Sequence, residues 1–134
     1  MSETYVEVVR RCLAAVEADD VEAAVQMLDA DVVISPSSEL VTGSTGPYHG
    51  HAGARRWFAE AALAAPKLRY EPYEFVDFGD QVYVSGRRSL EREGRDVGEY
   101  GASVWRFEHG FIVGVQGYAN REDALSAARA LSGG

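Results

Sequence analysis

From residue 68 to residue 119 the sequence reads as strand after strand, interrupted only by short turn phrases. The phrases are Gly79-Asp80, Gly94-Arg95 and Glu108-His109-Gly110. Turns this short join antiparallel neighbours. The pattern predicts a meander with strands over 68–78, 81–90, 97–107 and 111–119. Pro72 lies inside the first of these, which puts that strand at a sheet edge or at a bulge.

The first half of the chain has the other periodicity. Val6, Val9, Leu13 and Val16, with Tyr5 and Cys12, recur at helical spacing over 4–18. Asp19-Asp20 ends that helix, and one of the pair caps a second helix over 20–29. A β-rich run at 31–35 stops at Pro36. Residues 36–50 have turn composition and predict one long loop. A third helix spans 51–65, with Ala54, Trp57, Phe58, Ala61 and Ala64 toward the core, and Pro66 ends it. Asn120 caps a last helix, with Glu122 and Asp123 in its first turn where the helix dipole favours acids. Helices and strands that segregate in this way predict an α+β class.

At 134 residues the chain has the length of a single domain, residues 1–134, able to bury a full core. Its net charge of −8 repels nucleic-acid phosphates and anionic membranes, so neither is an expected partner. No apolar run approaches the roughly 20 residues of a membrane helix. No signal-peptide pattern precedes residue 12, and the one cysteine, Cys12, allows no internal disulfide. A cytoplasmic location is expected.

Four phrases carry a resemblance: AAVEADDVEAAVQMLDADVVI, GPYHGHAGARRWFAE, WRFEHGFIVGVQGY and NREDALSAARAL. In this order they resemble the SnoaL-like branch of the nuclear-transport-factor-2-like superfamily. The resemblance implies a cystatin-like α+β cone. A curved mixed sheet wraps about three N-terminal helices, with a short C-terminal helix and a pocket in the open mouth. It also implies a homodimer through the outer sheet face. Relatives include steroid isomerases, polyketide cyclases, dehydratases, epoxide hydrolases and binding modules without catalysis.

Strand parity sorts the residues of the meander. A three-residue turn at 108–110 pairs Phe107 with Phe111, and a two-residue tip at 94–95 pairs Trp105 with Val84. One face then collects Val82, Val84, Gly86, Ser103, Trp105, Phe107, Phe111, Val113, Val115, Gly117 and Ala119, and is assigned to the core and pocket. The other collects Tyr83, Ser85, Arg87, Ala102, Val104, Arg106, Ile112, Gln116 and Tyr118.

Three positions that do the work in the steroid isomerase branch fall by spacing on Cys12, Pro36 and Ser103, so that chemistry is rejected. The Asp-Arg-Asp set of the epoxide hydrolases finds Asp77, Arg88 and Asp96 only at strand ends. His49 and Glu99 are the catalytic candidates, as an acid or base at the pocket mouth. His49 and His51 alone are too few ligands for a metal, so no metal site and no cofactor are expected. The expected ligand-binding residues are Cys12, Tyr48, Trp57, Val84, Ser103, Trp105, Val115 and Gly117. The leading expectation is a domain that binds a small apolar or weakly polar molecule. An isomerase, cyclase or hydrolase is the alternative, and a protein-binding module with a filled cone is the third.

Overall fold

The computed structural model describes residues 4–36, 47–64, 69–118 and 120–131. Most of the loop expected at 36–50 therefore lies outside the described residues, as do Ala119 and the side chains of Ala61 and Ala64.

Helix α1 runs Tyr5–Glu17, and the Thr4 hydroxyl caps it by accepting the Glu7 N–H at 3.2 Å. Asp19 ends it in the left-handed region, φ 60°, while the Asp20 N–H returns to the Ala15 carbonyl at 2.8 Å. That is a Schellman stop with aspartate where glycine is usual. The Asp20 carboxylate then accepts the Ala23 N–H at 3.2 Å and starts α2, Val21–Val25. Helix α2 is shorter than its periodicity suggested. The Met27 carbonyl accepts the Ile112 N–H at 3.0 Å, and Leu28 pairs with Ile112. Tertiary pairing thus draws residues 28–30 into strand β1, Leu28–Ser35.

Next come β2, Tyr48–His49, and α3, Gly50–Ala64. The meander follows as β3, Arg69–Asp77, β4, Gln81–Arg92, β5, Arg95–Glu108, and β6, Phe111–Tyr118. Helix α4, Arg121–Leu131, closes the described chain. The six strands form one sheet in the order β2-β1-β6-β5-β4-β3. β1 lies parallel to β6, and every other pairing is antiparallel. Mixed sheet plus helices is the expected α+β cone. The bulge after Pro72 sits on the edge strand β3, where a residue without an N–H is tolerated. Gly86 faces that bulge, and a Cβ there would stand 2.3 Å from the Glu71 carbonyl oxygen.

Both hairpin registers differ from expectation. The β4–β5 tip is Glu93-Gly94, both with positive φ, so Val84 pairs with Ser103 rather than Trp105. The slip is two residues, which leaves every side chain on its expected face. The β5–β6 tip is His109-Gly110, with φ 53° and 85°, so it holds two residues and not three. Phe107 then pairs with Ile112, and a bulge beyond Arg106 restores parity, so that Trp105 pairs with Val115. Two assignments are corrected as a result. Ile112 is fully buried in the core, whereas Phe111 is 46% exposed beside Glu108.

The inner face packs against α1, α2 and α3 in one cluster that includes Val9, Val25, Val32, Ala54, Val82 and Phe107. The Tyr5 ring stacks on Phe107 at 4.0 Å and 9°. The outer face is not bare. Ala124, Leu125 and Ala128 of α4 pack on Tyr83, Ala102 and Val104. Asn120 caps α4 as expected, its side-chain oxygen accepting the Asp123 N–H at 2.9 Å. Arg121 clamps α4 to the sheet through two bonds of 3.1 Å to Glu74. Among the described residues no helix is long and apolar enough to cross a membrane.

Candidate functional site

The inner face of the sheet is not uniform. Near the β5–β6 tip it is sealed, with Phe107, Val82 and Ile112 all at 1% exposure or less. Toward the other end, Ser103, Val115, Gly117, Arg88 and Tyr70 all keep partial exposure, as does Trp57 from α3. Burial of this kind, graded from one end to the other, is what a cone closed at its base has.

Several expected site residues meet in this cluster. Cys12, Tyr48, Val84 and Trp105 are buried in it, with Trp57 and Val115 packed against it. Ser103 lies beside them, its Oγ accepting the Trp105 Nε1–H at 2.9 Å. Burial pushes the Cys12 thiol up to about 12, so it is a neutral apolar group and not a nucleophile.

Tyr48 and His49 both lie in β2 and face opposite ways. Strand alternation points Tyr48 inward, 2% exposed, with its hydroxyl donating to Glu60 at 2.6 Å. The Arg56 guanidinium stacks 4.9 Å from its ring, and Trp57 packs 6.4 Å away. It anchors β2 to α3. His49 pairs with Val33, on the opposite face of β2 from Tyr48, and is exposed. His51 is a clamp instead, its Nε2–H donating to the Leu28 carbonyl at 2.8 Å. The backbone register sets Glu99 opposite Arg88; its side chain lies outside the described set.

Two inward polar residues were not among the expected site residues. Arg88 reaches across to β5, where a Cβ on Gly101 would stand 2.7 Å from its Nη2. Tyr70 pairs with Arg88 from β3. Burial pushes the Tyr70 hydroxyl up to about 12, while the Arg88 charge acts in the opposite sense. Arg87 and Arg88 look alike as a basic pair. Alternation separates them, and Arg87 goes to the outer face, where it meets Asp96 at 3.1 Å.

The acids of an epoxide-hydrolase set are not assembled here. Asp77 is exposed, and its carboxylate accepts the Gly79 N–H at 2.8 Å to fix a turn. Among the described residues no group of His, Cys, Asp and Glu could hold a metal.

Two other hollows flank the cluster. A basin of about 770 Å³ lies between the start of α1 and the end of α2, with Tyr5, Arg11, Gln26 and exposed Phe111 in its walls. A smaller one of about 130 Å³ lies among Val33, Ser35, Gln81, Arg106 and Gln116. Gln81 is only 2% exposed, and its Oε1 has no hydrogen-bond partner.

Solved structures share this architecture. A nuclear-transport-factor-2-like protein of unknown function from Burkholderia pseudomallei superposes with a TM-score of 0.75 at 24% identity, over 90% of this chain and 93% of its own. TerC, crystallised with polyporic acid, gives 0.75 at 22% identity, over 96% and 98%. A candidate polyketide cyclase from Sinorhizobium meliloti gives 0.69 at 20%, over 84% and 94%. At these identities the likeness is one of fold. No curated protein sequence matches the chain. The sequence profile of the SnoaL-like domain matches residues 9–115, from α1 through the parallel partner strands β1 and β6. By that match the chain belongs to the SnoaL-like domain family.

Proposed function

We propose that the chain is a small-molecule-binding domain whose ligand enters the partly exposed end of the inner face. The graded burial carries this reading: Phe107 is 1% exposed at the sealed end, while Trp57, Ser103 and Arg88 retain access. Phe111, which would have helped to fill the cone, points out of it. The partly exposed walls are Trp57, Ser103, Val115 and Gly117, with Cys12, Val84 and Trp105 packed behind them, so the body of the ligand is apolar or weakly polar. Native mass spectrometry of the purified protein tests this, with a co-purified small molecule released on denaturation as the expected result. Absence of any such species, together with no thermal shift across an aromatic fragment set, overturns it.

A second reading adds catalysis, of isomerase, cyclase or hydrolase type, with Glu99 as the acid or base. The register that sets Glu99 opposite Arg88 favours it. Glu99→Gln then abolishes turnover while ligand binding survives; full activity in that variant overturns it.

A homodimer through the outer face belongs to the same proposal. Helix α4 takes part of that face, so the pairing surface is the remainder around Val33, Ser35, Arg106 and Gln116. The orphan Gln81 Oε1 beneath it supports a partner there. Light scattering that finds a monomer at all concentrations overturns this. A cytoplasmic setting, resting on the single cysteine, completes the proposal.

A further inference from the structure

On the outer face of the sheet, cross-strand neighbours form one row. Val33 of β1 pairs with Gly114 of β6, Gly114 with Arg106 of β5, and Arg106 with Gln81 of β4. Gly114 brings no side chain to that row, and the hollow of about 130 Å³ lies there. Ser35, Val104 and Gln116 add to its wall, and none of its described lining residues is acidic. In a chain with a net charge of −8, a concave site with a cation and no acid reverses the local sign.

Two polar groups in this hollow are unused. Gln81 is only 2% exposed, and its Oε1 has no hydrogen-bond partner. A buried amide oxygen in that state is costly until a donor reaches it. Arg55, Arg56, Arg87 and Arg121 each meet an acid, whereas Arg106 meets none among the described residues. Gln81 and Arg106 are direct cross-strand neighbours, with Cβ atoms roughly 5 Å apart, yet they do not bond each other. The Arg106 guanidinium leans the other way, over β6, where a Cβ on Gly114 would stand 3.6 Å from its Nη2 and 3.8 Å from Cζ and Nε. An unpaired acceptor and an unpaired cation are left beside one small space.

From this we infer that the hollow binds a small oxyanion that keeps one proton near neutral pH, hydrogen phosphate or bicarbonate. Its charged oxygens accept from Arg106, which carries donors only, and its O–H donates to Gln81 Oε1. Gln116 gives one Nε2–H to the Gly117 carbonyl at 3.2 Å, which leaves its second N–H for the anion. A volume of about 130 Å³ holds roughly four waters, so it admits an ion of this size and excludes an aromatic body. The hollow lies on the face proposed above for a second copy. Such a copy closes over the hollow and leaves Gln81 beneath, so anion binding and dimerisation are separable.

Isothermal titration at neutral pH with inorganic phosphate, bicarbonate and sulfate tests the site. Sulfate carries charge but no proton, and it controls for the general effect of a kosmotropic anion. The wild-type protein is expected to bind phosphate or bicarbonate roughly tenfold more tightly than sulfate, and the arm that binds names the anion. Gln81→Leu removes the unpaired oxygen and keeps a side chain of similar size. It is expected to bring the preferred anion down to the affinity of sulfate, with a urea midpoint at or above that of the wild type. Gln81→Met, unbranched like glutamine, carries the same expectation. Arg106→Met, at an exposed position, weakens the binding of every anion roughly tenfold or more. Equal wild-type affinity for sulfate, a preference that survives both Gln81 variants, binding that survives Arg106→Met, or no anion bound by the wild type overturns the site. Light scattering on the same samples keeps the two readings apart. A monomer that binds the anion as expected overturns only the second copy, and a dimer that binds none overturns only this site.

Discussion

The Trp105 indole donates to the Ser103 hydroxyl two residues back along the same strand face, at 2.9 Å. A buried indole N–H needs an acceptor, and here the neighbouring inward position provides it. Ser103→Ala removes the acceptor and keeps the shape. The expected cost is about 1–3 kcal/mol in urea unfolding, with a shift in tryptophan emission. An unchanged midpoint and spectrum would show that the bond contributes nothing.

Cys12 is expected to be inert while the protein is folded. With the thiol pushed up to about 12, its thiolate at pH 8 is about one part in ten thousand. Iodoacetamide labelling at pH 8 should be at least a hundredfold faster in urea than in buffer. Equal rates would contradict the burial of this residue.

The Arg121–Glu74 clamp predicts an acid sensitivity of α4. Hydrogen bonding from Arg121 holds the Glu74 carboxyl below its ordinary 4.5. A lowered folded-state value means the clamp contributes fully above pH 4.5 and is lost as pH falls through the lowered value beneath it. Hydrogen exchange of α4 amides should accelerate over that acid range. In Arg121→Ala the acid step should vanish, and its persistence would assign the effect elsewhere.

Phe111 and Ile112 are adjacent and apolar, yet they differ in exposure, 46% against 0%. Ile112→Ala is expected to cost about 2–5 kcal/mol. Phe111→Ala should cost less than about 1 kcal/mol. The reverse order in chemical denaturation would restore the three-residue turn and refute the bulge after Arg106.

Gly86 and Gly94 separate two reasons for glycine. A Cβ at Gly86 meets the Glu71 carbonyl at 2.3 Å, so Gly86→Ala must push β3 away, at about 1–3 kcal/mol. Gly94 has open space and φ 77°, so Gly94→Ala costs about 1 kcal/mol through the backbone alone. Thermal unfolding of both variants checks the order.

What was legible in the sequence was local. Helical spacing, the Asp19-Asp20 stop, the Asn120 cap and the bulge at Pro72 all depend on residues within a few positions of one another. The β4–β5 tip was misplaced without harm, because a slip of two residues preserves the faces. The β5–β6 tip was not so forgiving. His109 takes a positive φ, which favours glycine or asparagine, and that choice moved Phe111 and Ile112 to opposite sides. The docking of α4 on Tyr83, Ala102 and Val104 was not legible, because its apolar stripe fits either face of the sheet equally well. Arg88 was read only as a strand-end residue, because its inward side shows only once alternation assigns Arg87 and Arg88 to opposite faces. His49 was expected at the pocket mouth because composition put it in a loop, whereas it lies in strand β2.

The parallel pairing of β1 with β6 has a consequence for the order of assembly. Ile34 and Val115 are neighbours in the sheet, yet 80 residues of chain separate them. The meander can zip from its tips through contacts close in sequence, but β1 has no central partner until β6 is in place. Loop closure over that span rises only slowly with length, so the cost is mainly one of time. The expected rate-limiting event is the capture of the N-terminal strand by a preformed hairpin. Until then the inner face has no floor on its β1 side, so a site on that face, such as the pocket proposed above, is completed only in the last step of folding.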